Sequence, residues 1–84
     1  MLELYQAEGC PYSEKARQRL SDLGVSYTIH NPRTHEGETL NEQTHDELLA
    51  LGGEDQIPFL VDHEREATIY ESDDIVAYLD QHYA

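Results

Sequence analysis

Apolar residues recur along the chain at two spacings, and the places where one spacing gives way to the other mark out its elements. Leu2 and Leu4 share one face of LELY, which predicts a short strand. From Pro11 to Leu23, Ala16, Leu20 and Leu23 recur at helical spacing. Pro11 suits the first helical position, where its missing N–H would be unpaired anyway, and Gly24 provides the stop. Val25, Tyr27 and Ile29 alternate through VSYTIH as a second strand. A polar connection broken by Pro32 and Gly37 leads to a second helix, Glu42 to Leu51, with Leu48, Leu49 and Leu51 as apolar anchors and Gly52–Gly53 as its end. IPFLVD and EATIY, joined by the polar turn HERE, predict an antiparallel hairpin. The last helix runs from Ser72 to Tyr83. Ser72 is the expected N-cap, Asp73 and Asp74 lie in the first turn, and Ile75, Val76, Leu79 and Tyr83 form the buried stripe.

The order β-α-β-α-β-β-α begins with a βαβ unit, whose two strands must run parallel, and closes with a hairpin. It predicts an α/β fold of minimal thioredoxin-like type, a four-stranded mixed sheet with three helices. With 84 residues the chain is expected to form one domain over 1–84. A chain of this size buries only about 60–65% of the surface exposed when unfolded, so it has one modest core. No apolar run is long enough to span a membrane, and the N-terminus has no basic segment of the secretory kind.

Charge changes the picture. Eighteen Asp and Glu stand against five Lys and Arg, a net charge of −13. Such a surface has no cation cluster to neutralise phosphates, which sets the expectation against nucleic acid and anionic membranes. The acidity reads either as solubility by self-repulsion or as adaptation to high salt, where screening shortens to about 3 Å at 1 M. A single cysteine excludes an internal disulfide framework and fits a reducing, cytoplasmic location.

That cysteine, Cys10, stands before Pro11, where a strand and the turn QAEG hand over to a helix. Unpaired N–H groups and the positive end of the helix dipole favour a thiolate there. The other reading is a small buried hydrophobe, the usual fate of a free cysteine. Gly9 and the polar approach favour an exposed, reactive thiol. Tyr12 either roofs the site or covers the helix start. Lys15 and Arg17 are the nearest cations, as helpers of the thiolate or as solvated helix charges. Ser13 stands where a second cysteine would make a dithiol exchange motif, so Cys10 would depend on an external thiol for release. Ile57-Pro58 is either an ordinary strand start or a cis peptide exposing the Ile57 backbone to a ligand. YESDD (70–74) offers a helix N-terminus of the kind that receives a carboxylate, or an ordinary cap. The five histidines lack metal-ligand spacing and read as surface residues, and His45 is placed to pair with Asp46 or Glu42.

Together, GCPYSEKARQRL, IPFLVD and YESDDIVAYL resemble a glutaredoxin, and also the related N-terminal thioredoxin-like domain of glutathione S-transferases. The resemblance covers nearly the whole chain. It implies a cis Pro58 facing Cys10, an Ile57 backbone that pairs with the cysteinyl part of a γ-glutamyl thiol, and Glu71, Ser72 and Asp73 holding its γ-glutamyl end. Pro11 and Tyr12 join these as candidate substrate contacts. It also implies a monothiol-type oxidoreductase, likened in its acidity to proteins of salt-loving archaea, where γ-glutamylcysteine rather than glutathione is the expected thiol. Many glutaredoxins carry lysine three residues before the cysteine. Here that position is Ala7, which fits a thiol without glycine or weaker binding of any ligand. The expected partners are a small γ-glutamyl thiol as co-substrate and thiolated proteins, acting on a monomer with no tightly bound cofactor. The chain stops at Tyr83–Ala84, so a full transferase is not expected within it. A second reading makes Cys10 the ligand of a two-iron cluster bridged between two protomers. A third makes the chain a non-catalytic interaction module.

Overall fold

A computed structural model describes residues 1–84. Its elements are β1 (Leu2–Tyr5), α1 (Pro11–Asp22), β2 (Tyr27–His30), α2 (Glu42–Gly52), β3 (Phe59–Asp62), β4 (Ala67–Tyr70) and α3 (Ser72–Tyr83). The strands form one sheet in the order β2-β1-β3-β4. β1 runs parallel to β2, as a βαβ unit requires, and antiparallel to β3, which forms the hairpin with β4. This is the thioredoxin-like arrangement expected from the pattern.

The sheet separates two apolar clusters. Leu2 and Leu4 of β1 and Leu60 of β3 meet Ala16 and Leu20 of α1 and Ile75 and Leu79 of α3. Tyr5, Phe59 and Val61 belong to a second cluster with Ala7, Cys10, Leu48 and Ile57. The alternation of Leu4 and Tyr5, and of Phe59 and Leu60, divides neighbouring residues between the clusters because successive strand side chains point to opposite faces.

Three expectations are corrected by this packing. Of the three leucines assigned as anchors of the second helix, only Leu48 is buried, and Leu49 and Leu51 are 37% and 46% exposed. One helix resting on a sheet face buries a narrow stripe, and Leu49 lies about 100° round from Leu48. The second strand begins at Tyr27 rather than Val25, and Ile29 is 44% exposed because β2 is an edge strand. The third helix is capped by Glu71 rather than Ser72. Ile75 N–H bonds to the Glu71 carbonyl, which makes Ser72 the first helical residue.

The C-terminal half is tied by a buried carboxylate. Asp62, fully buried at the end of β3, accepts from Tyr78 Oη at 2.6 Å, Tyr83 Oη at 3.0 Å and Arg65 Nη1 at 3.2 Å. Burial pushes its pKa up, but these bonds together outweigh it and the net direction is down. Burial and the bond to Asp62 push Tyr78 up to about 12. The network fastens α3 to the hairpin turn. No helix is long and apolar enough to cross a membrane.

Candidate functional site

The end of β1 delivers the chain to Gly9, whose φ of +79° suits a residue without a Cβ, and the turn places Cys10 as the N-cap of α1. Cys10 Sγ accepts the N–H of Ser13 at 3.4 Å, and Pro11 occupies the first helical position as expected. The thiol therefore takes up one of the helix's orphan donors, the role an Asp or Ser would usually fill.

The expected exposure of Cys10 is not found. The residue is 2% exposed and packs in the Tyr5–Phe59 cluster. The polar QAEG approach misled because Gln6 and Ala7 are themselves buried, and because capping turns the sulfur inward over the helix end. Ser13 is buried too. Its Oγ accepts the Ala7 N–H at 3.2 Å, so it satisfies the incoming loop rather than the helix's first turn. Tyr12 is 61% exposed and covers little of the helix start.

The Ile57-Pro58 peptide is cis, one of the two states that the dipeptide leaves open, and both residues are buried. Ile57 lies in the same apolar cluster as Cys10, which brings the two segments together. The loop before it is held by Tyr70, which donates to the Glu54 carbonyl at 2.7 Å and accepts the Glu54 N–H at 3.1 Å. A side chain at Gly52 would collide with the Tyr70 hydroxyl, so α2 can end against β4 only with glycine there.

Glu71 holds a φ of +70° with ψ of 124°, a region that costs a non-glycine residue roughly 1–3 kcal/mol. Its carboxylate accepts Gln56 Nε2 at 2.8 Å and so bridges the residue before Ile57 to the start of α3. Ser72 is 7% exposed, and Glu71, the N-cap, makes no side-chain capping bond. Asp73 is exposed and pairs with Lys15, which ties α3 to α1. Arg17 bonds the Gln6 side chain and lies 3.4 Å from Glu8. Both cations expected near the thiol are thus engaged by neighbours.

Sequence reasoning missed Gln56, Tyr70 and the Lys15–Asp73 pair, because each is a long-range contact that no local spacing announces. The histidines also differ from expectation. His45 is mostly covered and lies 3.1 Å from Asp55, not beside Asp46 or Glu42, yet its Nε2 is out of line for a hydrogen bond. His30 and His63 both bind Glu3, and those bonds hold the Glu3 carboxyl below its usual range. No cluster of side chains could hold a metal ion.

The sequence profile of the glutathione S-transferase N-terminal domain matches residues 4–84. No curated protein matches the chain. Among solved structures, a diazinon-metabolizing glutathione S-transferase of the silkworm Bombyx mori superposes with a TM-score of 0.77 at 26% identity, covering 99% of this chain and 38% of that one. A glutathione S-transferase of Anopheles dirus species B gives 0.79 at 27% identity, with coverages of 98% and 36%. A glutathione transferase of Phanerochaete chrysosporium, solved in complex with oxidized glutathione, gives 0.74 at 30% identity, with 98% and 36%. The chain spans little more than a third of the length of these relatives. With the matched profile reaching from β1 to the last residue, the chain belongs to the glutathione S-transferase N-terminal domain family.

Proposed function

We propose that the chain is a monothiol thiol-disulfide oxidoreductase that acts on mixed disulfides between proteins and a γ-glutamyl thiol. The observation that carries this reading is the lone sulfur at the α1 N-terminus accepting the Ser13 N–H, with no second thiol in the chain. The likeness to a relative solved with oxidized glutathione, itself a disulfide of a γ-glutamyl thiol, supports the ligand class.

The Cys10 thiolate attacks the small-thiol sulfur of the adduct. A bond forms between Cys10 and that sulfur, the old S–S bond breaks, and the protein thiolate leaves and takes a proton from water. A second small thiolate then attacks the sulfur bound to Cys10, releasing the symmetrical small disulfide and the Cys10 thiolate. In sum the protein sulfur is reduced at the expense of the second small thiol alone, while the sulfur of the first small thiol stays at the disulfide level throughout. Because the ligand-free thiol is buried, attack requires its apolar cover to shift as substrate docks.

The backbone of Ile57 beside cis Pro58 would pair with the cysteinyl part, Pro11 and Tyr12 would border it, and Glu71, Ser72 and Asp73 would hold the γ-glutamyl end. Ser72 supports this by its place as the first residue of α3, 7% exposed, and Glu71 by its strained backbone. Alignment of the adduct for attack on the small-thiol sulfur is where such positioning acts. The acidic surface fits a chain working at high salt, so its melting temperature should rise with added potassium chloride. The test is reduction of a glutathionylated peptide with glutathione or γ-glutamylcysteine as reductant. Turnover that vanishes in Cys10→Ser supports the reading, and equal turnover in that variant ends it.

A further inference from the structure

Residues 54–58 lie between α2 and β3, and no backbone–backbone hydrogen bond reaches any of them. Side-chain bonds from elsewhere in the fold hold them instead. Tyr70 Oη donates to the Glu54 carbonyl at 2.7 Å and accepts the Glu54 N–H at 3.1 Å. Arg33 Nε donates to Asp55 Oδ1 at 2.9 Å, and Gln56 Nε2 donates to Glu71 Oε1 at 2.8 Å. Two of the three ties thus come from consecutive residues, Tyr70 and Glu71, where β4 hands over to α3. Tyr70 is itself set by the sheet. It pairs with Phe59 across the hairpin, its ring centroid lies 4.4 Å from that of Phe59, and its hydroxyl occupies the space left by Gly52. Beyond the ties stands Ile57, whose N–H and carbonyl take no backbone partner although the residue is buried. Buried backbone groups are paired in roughly 90% of cases or more, so Ile57 is where an extended ligand has bonds to gain.

We infer that Tyr70 is a positioning residue, whose hydroxyl fixes the Ile57 backbone relative to the Glu71–Asp73 turn and so sets how tightly the small thiol is held. The inference rests on the proposed reaction at Cys10 and deepens it. On that reading the γ-glutamyl thiol spans two contacts, its cysteinyl part at Ile57 and its γ-glutamyl end at residues 71–73. A ligand with two contacts binds best when the spacing between them is preset, because no ordering is left to be done on binding. Tyr70 presets it from one side by gripping Glu54, three residues before Ile57, and Glu71 from the other by gripping Gln56. A phenylalanine at position 70 keeps the ring against Phe59 and loses both bonds to Glu54. Glu54 is exposed, so its freed N–H and carbonyl turn to water and the fold survives while the segment loosens.

The experiment compares wild type, Tyr70→Phe and Asp62→Asn as full chains. Reduction of a glutathionylated peptide gives KM and kcat. The S-methyl derivatives of glutathione and γ-glutamylcysteine, titrated while amide NMR shifts are followed, give Kd without chemistry, and should move the Ile57 and Ser72 amides of wild type selectively. Tyr70→Phe should raise KM and Kd about tenfold or more, with kcat per folded molecule within about twofold. Gly52→Ala, whose methyl group must push the Tyr70 hydroxyl aside, should act in the same direction. Asp62→Asn loosens the fold at the far end of β3 and should leave KM and Kd within about twofold, which separates positioning from a general loss of stability. KM and Kd unchanged in Tyr70→Phe, or raised equally in Asp62→Asn, overturns the positioning role and leaves the reaction standing. A wild type that reduces no adduct, yet binds an S-methyl thiol more tightly than Tyr70→Phe does, overturns the reaction and keeps the positioning role. Absent binding of both derivatives by folded wild type overturns the positioning role too.

Discussion

The two faces of the sheet are built from similar numbers of buried residues and do different work. The α1/α3 face is aliphatic, with Leu2, Leu4, Leu20, Leu60, Ile75 and Leu79 interlocked between two helices and the sheet. The α2 face is aromatic and mixed. Tyr5 stacks on His30 with ring centroids 4.4 Å apart, Phe59 lies against Tyr70, and the only thiol sits among them. A single residue, Leu48, is all that α2 buries there. The lesson is a division of labour. The closely covered face holds the strands and the start of α1 in place, and the thinly covered face holds Cys10 and cis Pro58, both buried, beneath the lighter cover that the proposed reaction needs to shift.

Substitutions test that division, beginning with the largest effect. Leu20→Ala on the covered face should cost about 2–5 kcal/mol in urea unfolding, because neighbours on three sides cannot close the cavity. A loss below ~1 kcal/mol would mean that this face is as loosely packed as the other. Asp62→Asn removes the charge that Tyr78, Tyr83 and Arg65 serve, and about 1.5–3 kcal/mol should go with it near neutral pH. The sign with pH follows from the lowered Asp62 pKa. Its stabilisation is present above the unfolded value of 3.8 and is lost as pH falls through the lower folded value. The gap between wild type and Asp62→Asn should therefore close in acid, and a gap that stays constant would show that the charge is not the cause.

Ser13→Ala should cost about 1–3 kcal/mol, since the buried Ala7 N–H loses its acceptor, while turnover per folded molecule is retained. Loss of turnover without loss of stability would give Ser13 a chemical role. Leu49→Ala, on the exposed side of α2, should change stability by less than about 0.5 kcal/mol.

The contrast between the faces also explains what was legible in the sequence. Element order and most boundaries followed from periodicity: β1, the start of α1 and the whole of α3 lie where apolar spacing and Pro11 put them. Periodicity counts apolar residues but does not say how much cover an element meets, and so it overstated Leu49, Leu51 and Ile29 at the thin face and the sheet edge. Cys10, Pro58, Glu71 and Ser72 were legible through short motifs. Their contacts were not, because the Gln56–Glu71 and Lys15–Asp73 bonds join residues 15 and 58 positions apart. The inward turn of the Cys10 sulfur was hidden for a related reason. A polar-looking approach such as QAEG is exposed or buried according to what packs over it, and here Gln6 is tied to Asn31 at 2.6 Å, 25 residues away.

The most direct measurement is the reduction of a glutathionylated peptide by wild type and by Cys10→Ser, with folding of both confirmed by circular dichroism. The account predicts steady turnover for wild type, none above the uncatalysed rate for Cys10→Ser, and a mass increase on wild-type Cys10 equal to one small thiol when the reductant is withheld. Turnover that survives in Cys10→Ser, or a folded wild type that neither turns over nor takes up the thiol, would contradict the assignment of this face to thiol exchange.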